Sequence, residues 1–290
     1  MKLGKLGVFT FTDGMDAKAL AELARRVEAL GYSTLWYPEA LSYESFALGG
    51  YLLGHSQRLI VGSGIANIYA RDPAAAAMGH NSLNALYGGR FVLGLGVSHA
   101  PIVGLRGHDY AKPVATMRAY LDGMEAAWKA LNQAPAERHI VLAALGPQMT
   151  KLAGERTLGA FPYNVTPAQA AMCRKLMPAG KAAICEQKVC MTTDAVAARK
   201  VASANLGFYL KAPNYRNNWL RLGYTEADFE GGGSERILDA MVMWGDAATL
   251  KQKLRAYFEQ GADQLVIQPL RPDGAPGPDW AALEALAGMA

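Results

Sequence analysis

LYGGRFVLGLGVSHAP, residues 86–101, decides the fold. Gly88 and Gly89 stop a helix, Phe91 to Gly96 follow as a strand with no polar side chain on either face, and Val97, Ser98 and His99 come straight after its end. A strand that is apolar on both faces is covered on both, as in a parallel sheet wrapped by helices. Gly94 and Gly96 let another backbone or a flat ring come close, because no Cβ stands in the way.

The same unit recurs on either side. Leu6 to Thr10 reads as a first strand, followed by a helix that Asp16 caps, with Leu20, Leu23, Val27 and Leu30 on one face and a stop at Gly31. Thr34 to Tyr37 is the second strand, with a helix from Tyr43 to Leu53. Leu59 to Ser63 is the third, with a helix capped by Asp72 and Pro73 at its first position. After the fourth strand comes a helix from Pro113 to Leu131, then a fifth strand, Ile140 to Ala144, and a helix from Pro147 to Leu158. Gly159 to Tyr163 is the sixth strand, and Thr166-Pro167-Ala168-Gln169 reads as a capping box that opens a helix ending at Met177.

Ala183 to Met191 is the seventh strand, and Thr193 or Asp194 caps a helix running to about Leu210. Residues 211–240 interrupt the rhythm and read as an insert of loop and short helices. Its Tyr215 and Trp219 fit a lid over a substrate, a dimer contact or a plain surface loop. Asp246 caps a helix over 247–260, Asp263 to Gln268 is the eighth strand, and a short helix follows Pro278. Eight alternations predict an α/β fold, a single (β/α)8 TIM barrel forming one domain over residues 1–290. The rival, an open doubly wound sheet, carries GxGxxG in its first turn, where this chain has TFTDGMD.

Composition agrees. Of 290 residues, 51% are hydrophobic and 19% charged, enough apolar surface for a sizeable core. The net charge of +4 is scattered, with no basic stripe suited to nucleic acid. No apolar run approaches the roughly 20 residues that cross a bilayer, and the start MKLGKLGVFTFTDG lacks the apolar core of a signal peptide. A cytoplasmic enzyme acting on a small molecule is the expectation. Cys173, Cys185 and Cys190 form no CxxC and read as buried thiols; the five histidines form no HExxH, so no metal site is expected.

In such a barrel, the loops leaving the C-terminal strand ends build the active site. Glu39, just past the second strand, is either a ligand contact or a structural carboxylate bonded to a loop N–H. Ser63-Gly64-Ile65-Ala66 are small enough to admit a flat ring, or simply to ease packing. His99 on the rim can move a proton near neutral pH, or is a hydrogen-bonded loop residue. Leu145 and Gly146 precede a helix whose free N–H groups suit a phosphate.

Taken together, LGVFTF (6–11), LGYSTLWYPEA (30–40), LIVGSGIANIYARDP (59–73), the opening segment, VLAALGPQMTKLAGERTLGAFPYNVTP (141–167) and YFEQGADQLVIQPL (257–270) resemble the luciferase-like monooxygenase superfamily, in particular its F420-dependent oxidoreductase branch. The resemblance implies a deazaflavin, coenzyme F420, across the barrel mouth, with FMN as the alternative. It implies a non-prolyl cis peptide at Gly64–Ile65 supporting the ring, with Ser63 and Ala66 beside it and Gly96 near. It also implies phosphate contacts at Leu145 and Gly146, and at Pro162 and Tyr163. Glu39 aligns with an acidic residue placed beside ring or substrate. Several F420 enzymes follow it with a histidine where this chain has Ala40, which leaves His99 as the proton-transfer candidate. Relatives that oxidise glucose-6-phosphate carry a glutamate where this chain has Val97.

The implied reaction is hydride transfer between the deazaflavin C5 and a small organic substrate, with His99 and Glu39 catalytic. FMN-dependent monooxygenation and a barrel that binds a ligand without catalysis are the alternatives. Relatives commonly form homodimers through early helices.

Overall fold

The computed structural model describes residues 1–40, 42–131 and 137–289. Residues 41, 132–136 and 290 lie outside the described residues. In chain order the elements are β1 Leu6–Phe9, α1 Ala17–Ala29, β2 Thr34–Tyr37, α2 Ser45–Gly54, β3 Ile60–Ser63, β4 Ala66–Asn67, α3 Pro73–Leu86, β5 Phe91–Gly96, α4 Ala100–Gly104 and α5 Pro113–Ala130. Then come β6 Ile140–Leu142, α6 Pro147–Arg156, β7 Gly159–Ala160, α7 Pro167–Leu176, β8 Ala182–Met191, α8 Ala195–Leu206, α9 Pro213–Arg221, α10 Glu235–Met241, β9 Val242–Gly245, α11 Ala247–Glu259, β10 Gln264–Leu270 and α12 Trp280–Leu286.

Eight of these strands close into the predicted parallel barrel. The order runs β10-β1-β2-β3-β5-β6-β7-β8, and β8 returns to β10 in register from Gln264↔Ile184 to Leu270↔Cys190. The local signals read from the sequence act as expected: Asp16, Asp72 and Asp246 each accept a backbone N–H in the first turn of their helix, and Gly31, Gly89 and Gly261 take positive φ where helices stop. Phe9, Trp36, Val92, Val141, Phe161, Ile184 and Val266 fill the barrel, one from each of seven strands or strand ends. Outside it, helix faces such as Leu20, Leu23 and Val27 pack against the sheet. Each such large apolar side chain contributes about 1.5–3 kcal/mol of transfer free energy on burial. All three cysteines are buried, as read.

Two expectations need correction. Thr166 makes no capping bond to its helix; Gln169, the partner expected in a capping box, instead donates to Leu145 O and accepts from Asn218. The reason is tertiary, since α9 packs against the start of α7 and draws that amide away.

The second concerns residues 211–240: the expected short helices are there, but they are packed into the fold instead of looping out of it. α9, α10 and a short 3₁₀ turn bury Tyr215, Trp219, Phe229, Ile237 and Leu238 in a second core, continuous with β9. That strand had no sequence signal: it follows α10 without a turn residue, so ERILDAMVMW shows no break between helix and strand. β9 pairs with Lys188–Met191, taking the side of β8 that two-residue β7 leaves free.

Candidate active site

A shelf on the β3 side of the mouth is built first. Between β3 and β4 the Gly64–Ile65 peptide is cis, and both residues are partly exposed at the mouth. Ser63 and Ala66 are buried beside them. The Ser63 hydroxyl donates to Gly94 O (2.9 Å) and accepts from Gly94 N (3.0 Å), and Ala66 pairs with Leu95. The two glycines of the opening segment serve this shelf. A Cβ on Gly94 would stand 2.0 Å from Ser63 O, and one on Gly96 would stand 2.5 Å from Ile65 Cδ1. Ser63, Ala66 and Gly96 therefore support the shelf from beneath, and Gly64 and Ile65 present it.

Glu39 lies under the same shelf, with its side chain 4% exposed. Its carboxylate accepts from Ser45 N (3.1 Å) and Asn67 N (2.8 Å) and pairs with Arg71, which also pairs with Glu44. A cleft of about 560 Å³ opens beside it, lined among others by Tyr43, Phe46, Arg71 and Arg106.

The floor and far wall are aromatic. A Cβ on Gly64 would lie 2.7 Å from Phe161 and 3.0 Å from Phe9, so the shelf rests directly on the interior layer. Tyr163 stacks 5.2 Å from Phe9, donates to Gln268 Oε1 (2.9 Å) and meets the Tyr209 phenol. Burial, with Tyr209 and Glu186 beside it, pushes the Tyr163 phenol well above its usual range. His99 sits between Phe208 (5.3 Å) and Tyr215 (5.7 Å) and bonds the Asn214 side chain. Burial lowers its pKa, the Asn214 bond opposing, which favours the neutral imidazole.

The third part was half legible: the sequence points to Leu145 and Gly146, and nothing in it points to Arg221. Gly146 is the N-cap of α6 and offers no side chain to the first-turn N–H groups. Beside it, Arg221 Nη2 comes within 3.5 Å of where a Gly146 Cβ would stand. A chain of amides holds it there: Arg221 donates to Asn218 Oδ1 (3.1 Å), Asn218 Nδ2 to Gln169 Oε1 (3.2 Å), and Gln169 Nε2 to Leu145 O (3.0 Å). Among the described residues no carboxylate pairs with Arg221. A cation set beside the positive end of a helix suits an anion, so these residues fit a phosphate-bearing cofactor. Pro162 is buried close by, and Asn164, which accepts from Trp219 at its carbonyl, keeps a buried, unpartnered Nδ2.

The family model for luciferase-like monooxygenases matches residues 3–264. The chain belongs to that family. A Mycobacterium tuberculosis protein provisionally named as a coenzyme F420-dependent oxidoreductase is 26% identical over 310 residues, covering 85% of this chain and 89% of that protein. Among solved structures, an F420-dependent secondary alcohol dehydrogenase in complex with an F420-acetone adduct superposes with a TM-score of 0.78 at 16% identity, covering 100% of this chain and 98% of that one. The FMN complex of a type II Baeyer-Villiger monooxygenase of Pseudomonas putida gives 0.73 at 14% identity, covering 99% and 97%. At such identities the structures attest to the barrel alone. Among the described residues no helix is long and apolar enough to cross a membrane.

Proposed function

We propose that this chain is a coenzyme F420-dependent oxidoreductase that moves a hydride between C5 of the deazaflavin and a small organic substrate. The observation that carries the reading is the cation at the uncapped α6 terminus, Arg221 beside Gly146, two strands round the barrel from β3 and the Gly64–Ile65 shelf. A ring on the shelf and a phosphate at α6 would be held at once. The provisional name of the mycobacterial relative, over most of this chain, favours the deazaflavin over FMN.

In this reading Gly64 and Ile65 face the ring, while Leu145, Gly146, Pro162 and Tyr163 border the tail. Glu39 positions the shelf instead of touching the substrate, since both its oxygens are already engaged. His99 and Tyr163, one on each side of Tyr215, are the groups placed to exchange the accompanying proton. The bound cofactor supplies the hydride chemistry; the protein supplies orientation and excludes water. A homodimer would draw on α3, whose Met78 and Leu86 are 54% and 74% exposed.

Titration of the purified chain with F420 and with FMN, followed by fluorescence, tests the reading. Saturable F420 binding is expected. Tight FMN binding without F420 binding overturns it in favour of a flavin monooxygenase.

A further inference from the structure

Inside the barrel mouth lies a buried ion pair for which the proposed function has no use. Glu186 and Lys188 sit two residues apart on β8, so their side chains share its inner face with Ile184 of the interior layer. Their side chains are 1% and 0% exposed. Lys188 Nζ donates to Glu186 Oε1 (3.0 Å) and Asn164 Oδ1 (2.5 Å), and Asn164 N donates to Glu186 Oε2 (3.0 Å). The ammonium lies 3.8 Å from the centroid of the Tyr163 ring and 5.8 Å from that of Tyr209.

Such a pair is a poor source of stability, because desolvating two charges costs about as much as their attraction returns. Its place against one phenol suggests a different purpose. A cation over an aromatic face gains far more attraction when the ring becomes anionic, and most of all where water is excluded. Tyr163 is partly exposed at the mouth, one ring away from the shelf through Phe9. It is backed by a fixed positive charge, and its O–H, which rests on Gln268 Oε1 (2.9 Å), meets a substrate by turning from that amide.

We propose that Tyr163 is the acid that protonates the oxygen of a ketone or aldehyde substrate, with Lys188, held by Glu186, positioned to offset the charge left on the phenol. This inference rests on the deazaflavin reading above. The carbonyl carbon accepts a hydride with its electron pair from the reduced deazaflavin, the C=O π pair moves to oxygen, and that oxygen takes the proton as the Tyr163 O–H bond breaks. The phenolate is reprotonated through Tyr209, which is partly exposed and shares a hydrogen bond with it. Alcohol oxidation is the same step reversed. A donor of this kind suits a developing alkoxide, a stronger base than phenolate. His99 then serves to fix Tyr215 and the substrate's far side.

The protein is titrated with F420 and assayed against short-chain ketones, aldehydes and alcohols, with Tyr163→Phe, Lys188→Met and Lys188→Arg compared by thermal unfolding. At saturating F420, Tyr163→Phe should lose about 10²–10⁴ in kcat with the KM for the carbonyl substrate little changed. Lys188→Met should lose activity that Lys188→Arg partly restores, and, because Lys188→Met leaves Glu186 buried without its cation, its kcat is read well below its lowered unfolding temperature. Binding of 2-methylpropanamide, a carbonyl that accepts a hydrogen bond without being reduced, gives a readout free of turnover. It should weaken about tenfold in Tyr163→Phe. F420 binding with kcat or amide affinity unaltered in Tyr163→Phe overturns this inference alone, as does a parent enzyme that binds F420 and turns over no carbonyl or alcohol. A parent that does not bind F420 overturns the deazaflavin reading and this inference with it.

Discussion

Glu39 holds the shelf segment at two points: its backbone N–H donates to Ile65 O (3.2 Å), and its carboxylate accepts the backbone N–H of Asn67 (2.8 Å). The shelf's position therefore depends on one carboxylate whose other oxygen is tied to Arg71 and Ser45. Glu39→Gln keeps the shape and removes the buried charge, leaving Arg71, itself 10% exposed, with the half-exposed carboxylate of Glu44 at 2.8 Å. Breaking a buried pair in this way is expected to cost about 3 kcal/mol in urea unfolding. An unchanged midpoint would show that the shelf does not lean on this contact.

Gly94→Ala and Gly96→Ala should differ in severity. The new methyl at 94 meets a backbone oxygen of the adjacent strand, which cannot move without breaking the β3–β5 pairing, whereas at 96 it meets the flexible end of Ile65. Overpacking of this kind costs about 1–3 kcal/mol, and Gly94→Ala is expected at or above the upper end. Denaturation of both variants side by side checks the order.

Arg221→Gln should leave unfolding nearly unchanged, because the residue is exposed on α9, and weaken F420 binding by about tenfold through loss of one charge-assisted contact. Raising the salt concentration should weaken the parent more than the variant. Equal salt dependence in fluorescence titrations would remove Arg221 from the anion site.

Acid should destabilise the fold through His80. The imidazole is fully buried, accepts the backbone N–H of His139 at Nε2 (3.1 Å), and is lowered to about 4 by burial, with His139 adding to the effect. Unfolded, it protonates near 6.5; folded, only near 4. Its contribution, about 3 kcal/mol, is therefore complete above pH 6.5 and lost as pH falls to about 4. Stability measured across that window should show a shallower slope in His80→Gln.

The barrel was legible because its signals are local. A cap such as Asp16, a stop such as Gly31 and the all-apolar run Phe91–Gly96 each act within a few residues, and eight repetitions leave little freedom in how such segments can be covered. The same locality explains the misses. β9 lacks a turn signal of its own, and Gln169 of the apparent capping box was claimed by a residue 49 positions away, Asn218.

The sequence by itself determined the strands, the helices and the end of the barrel where chemistry belongs, since these follow from periodicity, caps and glycines along the chain. Only the tertiary structure decided which side chains meet there. Arg221 stands beside Gly146, Lys188 lies under Tyr163, and Glu39 is spent on the shelf, because ring closure and the packing of α9 bring together groups whose charge and desolvation have no meaning until they are neighbours.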